Sequence, residues 1–246
     1  MTYCVGMMLK RGMVFMSDTR TNAGVDNIST FRKMFAWDVP GDRSITIMTA
    51  GNLATTQSVI SLLEERSKAT GDRDPSILQA ETMFQVANLV GDTLKEVIST
   101  HAEEGQRADS AFNATILVGG QIADGEPRLF LIYPEGNFIE ASEDTPFMQI
   151  GETKYGRPIL VRAYDADMTF EEAIKLLLVS FDSTIKANLG VDLPIDVRVY
   201  ETDSLKPANS FRVNQDDPYY QEISEGWGVA LRDAFGQLPD FKLPKS

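Results

Sequence analysis

The sequence predicts an α+β protein built as a four-layer αββα sandwich, two antiparallel β-sheets between helix layers. Three observations lead there. Strand-like runs come in blocks joined by short turns, which favours hairpins over an alternating βαβ order. Long amphipathic stretches fall between those blocks. No low-complexity linker or internal repeat divides the 246 residues, and 43% of them are hydrophobic, so residues 1–246 are expected to form one large domain with a sizeable core.

The elements follow in order. Tyr3–Leu9 and Gly12–Ser17 are apolar runs joined by Lys10-Arg11-Gly12, a hairpin signal. Asp18 to Gly24 is polar and reads as a loop. Lys33 to Trp37 is a strand candidate, Pro40-Gly41 marks a turn, and Ser44 to Thr49 alternates with β-branched residues. Ala50-Gly51-Asn52 is expected to open a first helix that runs to about Lys68, with Ala54, Val59, Ile60, Leu62 and Leu63 on its apolar face. Gly71 to Pro75 breaks the chain. Ser76-Ile77-Leu78-Gln79 has the pattern of a capping box and predicts a long helix from there to near His101. Further strands are expected at Phe112–Val118, ending in Gly119-Gly120, then at Arg128–Tyr133, Asn137–Glu140 and Phe147–Ile150. Thr169-Phe170-Glu171-Glu172 is a second capping box, opening a helix that ends near Asn188-Leu189-Gly190. Ile195–Glu201 reads as a strand. Asp217-Pro218 reads as a cap followed by proline at the first helical position, with a helix to about Phe235. Leu238 to Ser246 holds two prolines and two lysines and reads as an extended arm.

Composition removes several functions. The net charge of -13 leaves no basic stripe for nucleic acid and repels an acidic membrane surface. One cysteine, Cys4, excludes a disulfide framework and a cysteine zinc site. One histidine, His101, excludes chemistry that needs two. No run approaches the ~20 apolar residues of a membrane span. The start carries no basic leader with an apolar core, so the expected location is cytoplasmic. The residues call for no cofactor and no metal.

One chemistry survives with a single histidine. Thr2 stands directly before the first strand, behind a Met that its small side chain allows to be removed. A threonine hydroxyl needs an adjacent base, and a free α-amine on the same residue can be that base. Its pKa of ~7.7–8.0 leaves it able to take a proton near neutrality. Asp18 ends the second strand of the hairpin and so returns towards Thr2. Lys33 begins the next strand. Thr49-Ala50-Gly51 lies where a strand gives way to a helix, a place for backbone N–H groups aimed at an oxyanion. Each of these residues alone has an ordinary structural explanation; their joint order is what carries information.

Thr2, Ser17-Asp18-Thr19-Arg20-Thr21, Lys33 and Thr49-Ala50-Gly51 together resemble the signature of proteasome β-type subunits, which are N-terminal nucleophile (Ntn) hydrolases. The resemblance spans essentially the whole chain, and the wording from Thr21 to Lys33 is most similar to a bacterial homologue of these subunits. It implies the Ntn-hydrolase fold and a threonine-type peptidase. Thr2 would be the nucleophile, Asp18 would hold Lys33, Lys33 would tune the hydroxyl, and the N–H of Gly51 would form the oxyanion hole. Arg20 and Thr21 would support the substrate channel, and Asn188 would stand near the nucleophile. The sequence departs from the family in three places. Tyr3 replaces a second threonine, Glu152 follows Gly151 where a serine is usual, and Thr2 to Lys33 is one residue shorter.

The resemblance also implies a homo-oligomer of identical subunits, as a ring or an open helix, acting on a peptide. An ATPase or other partner is left open, as are two alternatives: an inactive scaffold of the same fold, and a hydrolase of small amides. Cys4 is expected to pack, and His101 to end a helix. Glu201, Asp203, Asp192 and Asp196 are expected to be solvated. Tyr219, Tyr220 and Trp227 are expected in the core or at a subunit contact.

Overall fold

A computed structural model describes residues 1–22, 28–68, 76–103 and 112–244; the side chains of Asn22, Ile28 and residues 101–103 lie outside the description. The expected break at Gly71–Pro75 and the side chain of His101 fall outside it.

Two five-stranded antiparallel sheets form the middle of the molecule. The first has β1 (Tyr3–Leu9), β2 (Gly12–Asp18), β10 (Phe147–Gly151), β11 (Ile195–Glu201) and β12 (Asn209–Val213), in the order β10-β1-β2-β11-β12. The second has β5 (Met34–Val39), β6 (Arg43–Gly51), β7 (Ala114–Ile122), β8 (Arg128–Ile132) and β9 (Phe138–Glu140), paired in that sequence. A small ribbon pairs β3 (Arg20–Asn22) with β4 (Ile28–Thr30). The helices are α1 (Leu53–Lys68), α2 (Met83–Glu103), α3 (Arg157–Ala163), α4 (Phe170–Ala187) and α5 (Pro218–Gly236).

Three separate cores mark the boundaries between four layers. Val59, Ile60 and Leu63 of α1 and Val86, Val90 and Leu94 of α2 pack on Ile45, Ile47, Ile116 and Phe130 of the second sheet. Cys4, Met13, Phe15, Met48, Leu117 and Met148 fill the space between the sheets. Leu160 of α3 and Ala173, Leu177 and Phe181 of α4 cover Tyr3, Val5, Val14 and Met16 of the first sheet. Alternate residues of β1 therefore serve different cores, Tyr3 and Val5 against helices and Cys4 against the other sheet. A strand covered on both faces has no polar side, which is why β1 and β2 are near-continuous apolar runs.

Several expectations are corrected. Residues 20–22 are a short strand rather than loop. Asn52 caps α1 by accepting the Thr55 N–H at 3.0 Å, so Gly51 closes β6 instead of opening the helix. Ala54 is exposed and Thr55 and Thr56 are buried in its place. Ser76–Gln79 is a single turn. The guanidinium of buried Arg43 takes the carbonyls of Ile77 and Ala80 at 2.8 and 2.9 Å, which turns them out of a helical ladder. The cap of α2 is Thr82, whose hydroxyl accepts from Gln85 N–H at 3.2 Å. Strand β7 runs on through Gly119 and Gly120, because a Cβ at Gly120 would stand 2.2 Å from the Ser44 carbonyl oxygen; the glycines permit close strand approach. The capping box at Thr169 is present in full, with Glu172 N–H to Thr169 Oγ1 at 3.1 Å and Thr169 N–H to Glu172 Oε2 at 2.9 Å. Asp217 caps α5 as expected. Helix α3 and strand β12 have no counterpart among the expected elements: α3 is seven residues long with no side-chain cap, and β12 buries only Val213.

Candidate active site

The β1–β2 hairpin brings residue 18 back beside the start of the chain. Tyr3 N–H donates to Asp18 Oδ1 at 2.9 Å, which ties the first peptide of β1 to the last carboxylate of β2. Asp18 has no exposed surface and Lys33 retains 4%. Lys33 Nζ lies 2.9 Å from both Asp18 oxygens. The same ammonium donates to the carbonyl of Arg20 at 2.6 Å and to the carbonyl of Met1 at 3.2 Å. The backbone of Lys33 is held in turn by Thr49 N–H, which donates to its carbonyl at 2.9 Å. Three of the sequence-derived positions, residues 2, 18 and 33, are therefore joined through Tyr3 N–H and the Met1–Thr2 peptide.

Burial pushes the Asp18 carboxyl up, to about 6, against the Lys33 ammonium and the Tyr3 N–H, which hold it ionised. The α-amine of Met1 is pushed below its usual value, first by burial and then by Lys33, with Asp18 opposing. An amine at this end of the chain therefore loses its proton more readily than one in water.

Tyr3 replaces the family's second threonine without disturbing this contact. Its ring lies 4.5 Å from Phe181 and its hydroxyl meets Ser180 Oγ at 2.7 Å and Gln149 Nε2 at 2.6 Å. Burial raises that hydroxyl to about 12. The side chain belongs to the helix-facing core, and only its N–H serves Asp18. Cys4 is buried and packs between the sheets, and its thiol is pushed well up by burial.

The other flank of Thr2 is made by β10. Tyr3 pairs with Gly151, and Glu152 N–H donates to the Thr2 carbonyl at 2.7 Å. A Cβ at Gly151 would stand 2.0 Å from that carbonyl oxygen and 3.2 Å from Thr2 Cβ, and its φ of +84° lies in the left-handed region. Only glycine lets β10 approach Thr2 so closely. Gly51 (φ +115°) and Gly151 line one cleft of about 420 Å³ with Ala50, Thr115, Gln149 and Thr153.

Asn188 caps α4 at its C-terminal end. Its Nδ2 donates to Glu152 Oε2 at 2.9 Å and its Oδ1 accepts from Gly190 N–H at 2.9 Å. Gly190 faces Met1, since a Cβ there would be 2.4 Å from Met1 Cβ. Asn188 thus reaches the Thr2 end of the chain through Glu152. Glu152 is absent from the sequence-derived set; a residue that differs from the family's serine gave no signal there, and its link to Thr2 is made by backbone. Arg20 turns away from Lys33 at its side chain and pairs with Asp192, while its carbonyl faces Lys33. Asp192 is therefore paired, and so is Asp196, with Arg212. Thr21 lies in the β3–β4 ribbon opposite Ser29. Among the described residues no group of three or more His, Cys, Asp and Glu comes together to hold a metal ion, and no helix is long and apolar enough to cross a membrane.

The αββα sandwich is the fold of the N-terminal nucleophile class, and in it a buried lysine held by a strand-end aspartate lies beside the Met1–Thr2 peptide. A model of the proteasome subunit family matches residues 2–193, and the chain belongs to that family. Within it, the chain is similar to solved structures of Anbu, the bacterial homologue. It is 46% identical to Anbu (ancestral beta-subunit) from Yersinia bercovieri, over 98% of this chain and all of that one, with a TM-score of 0.90. It is 46% identical to the chain in "Helical Assembly of the Anbu Complex from Pseudomonas aeruginosa", over 98% of each, also at 0.90. A more distant relative is proteasome subunit beta 2 of Nitrosopumilus maritimus (strain SCM1), 26% identical over 210 residues, 83% of this chain and 88% of that one.

Proposed function

We propose that the chain, once Met1 is removed, is a self-assembling threonine hydrolase of peptide or amide bonds. The observation that carries this reading is the Lys33 ammonium, bound to Asp18 at 2.9 Å and aimed at the Met1–Thr2 peptide at 3.2 Å. With Met1 attached, the nitrogen of Thr2 is a peptide nitrogen and has no basic lone pair. Removal converts it into a free α-amine at the start of β1, whose next N–H is held by Asp18.

The chemistry then follows from the residues. The Thr2 amine takes the proton of Thr2 Oγ as that oxygen attacks the substrate carbonyl. Lys33 favours the developing alkoxide and the neutral amine by its charge, and Asp18 keeps it charged and placed. The Gly51 N–H receives the negative oxygen of the tetrahedral intermediate. The C–N bond breaks, the leaving amine takes the proton from the Thr2 ammonium, and an ester to Thr2 remains. Water, deprotonated by the same amine, attacks the ester and frees Thr2 Oγ and a carboxylic acid. Glu152 and Asn188 position the Thr2 backbone, and Arg20 and Thr21 support the channel beside it. The proteasome subunits and Anbu chains to which this chain is similar support both the reaction class and the assembly.

The test is Thr2→Ala measured beside the unaltered chain on a panel of peptides and small amides. Loss of turnover with an unchanged far-ultraviolet spectrum is the expected result. Equal turnover by both would refute Thr2 as the nucleophile, and none by either on any substrate after Met1 is gone would make the chain a scaffold of this fold.

A further inference from the structure

Every residue from Val229 to Pro244 is exposed. This stretch includes Val229, Leu231, Phe235, Leu238, Phe241 and Leu243, at 49–82% exposure. The first half of α5 is fixed to the body. Tyr220 is buried against α4 and donates to Asp182 at 3.3 Å, and Lys186 Nζ reaches the carbonyl and hydroxyl of Ser224 at 3.1 and 3.0 Å. Beyond that anchorage the chain leaves its own core carrying large apolar side chains, and contiguous exposed apolar surface marks a contact site.

A receiving surface lies on the same layer. An open groove of about 810 Å³ runs among α3, α4 and α5, with Ile159, Met168, Leu176, Val179, Ile223 and Trp227 on its walls. Asp165, Asp167, Glu172 and Glu222 also line it, against the one base Lys175. The arm matches the apolar walls. Its Phe241-Lys242-Leu243 places a cation between two apolar side chains, Asp240 before them leaves residues 238–244 neutral in net charge, and Pro239 and Pro244 restrict the backbone before it binds. In this structure the arm does not lie in its own groove, because Phe241 and Leu243 are each 82% exposed.

We propose that the groove among α3, α4 and α5 receives the C-terminal arm, residues 238–244, of a second copy of this chain. Phe241 and Leu243 fill the apolar walls and Lys242 meets the acidic rim. The proposal rests on the self-assembly part of the function above and not on the chemistry of Thr2. An arm passed from each copy to the next is a heterologous contact, which closes as a ring or continues as an open helix.

Two variants attack the two halves of the contact. A chain ending at Gln237 lacks the arm. Gly226→Trp plugs the groove, since a Cβ at Gly226 meets nothing within 4 Å and the side chain grows into the open space. Sedimentation velocity is expected to show the full chain as an assembly and both variants as smaller species, with thermal unfolding of the isolated variants cooperative. Both variants sedimenting like the full chain would overturn the arm contact and leave self-assembly standing. A full chain that sediments as a single copy would overturn both. A cysteine pair, Phe241→Cys with Val179→Cys, should give multi-chain species on oxidation, Cys4 being buried. A cross-link confined to one chain would place the arm in its own groove and refute the proposal.

Discussion

Lys33 has three N–H groups, and Asp18, the Arg20 carbonyl and the Met1 carbonyl surround them. The pair was legible through the family resemblance, which implies that Asp18 holds Lys33; the β1–β2 hairpin by itself returns Asp18 to Thr2, and Lys33 precedes β5 of the other sheet. The depth of the pair was not legible, since a lysine in a sequence is ordinarily a solvated charge. Removing the cation strands a fully buried carboxylate. Lys33→Met is expected to cost about 3–5 kcal/mol in denaturant unfolding and to abolish turnover. Asp18→Asn combined with it should lose less than the sum of the two single changes, because the charges are removed together. Acid acts on the same pair with opposite signs. Asp18 must be ionised to hold Lys33, so turnover should fall as pH drops through about 6. Its folded pKa lies above the unfolded value near 3.9. The folded state therefore binds the proton first, and this group's contribution to stability should rise as pH falls from about 6 towards 3.9. A pH–rate profile set beside a pH–stability profile separates the two effects. Glu152 marks the limit of the sequence at this scale: its N–H holds the Thr2 carbonyl, a backbone role that no side-chain motif announces.

Elements place these residues, and their boundaries were the less legible part. The hairpin, the full capping box at Thr169 and the cap at Asp217 were readable because each is a local pattern with a local cause. The false cap at Ser76 shows the reverse. Its pattern is correct, yet Arg43, distant in sequence, takes the carbonyls that a helix there would use. Strand β12 escaped because it buries almost nothing, and α3 because it is short and uncapped. Two substitutions test whether the β10 approach to Thr2 is functional. Gly151→Ala and Gly41→Ala both place a side chain at positive φ, near +84° and +80°, for about 1–2 kcal/mol of backbone strain. Only at Gly151 does the new Cβ meet Thr2, at 2.0 Å, whereas at Gly41 it meets nothing within 4 Å. Gly151→Ala should therefore lose turnover and Gly41→Ala should keep it, measured on the same substrate. Thr169→Ala removes a half-buried cap on α4 and should cost about 1 kcal/mol in thermal unfolding with turnover unchanged.

At the scale of the molecule, the four layers follow from strands that need cover on both faces, and that much was legible from the order of blocks alone. Which surfaces then remain for other copies was not, because exposure is a property of the packed chain. The layers make β1 an interior strand, fixed by β10 and β2, and so hold Thr2 still at its end. That rigidity is what a nucleophile that supplies its own base requires. The measurement that bears most directly on this account is the intact mass of the purified active protein before and after an amide-mimicking electrophile. The account predicts a chain that starts at Thr2 and a single adduct mapped to Thr2, absent from Thr2→Ala. Turnover by a chain that retains Met1, or an adduct on another residue of an active chain, would contradict it.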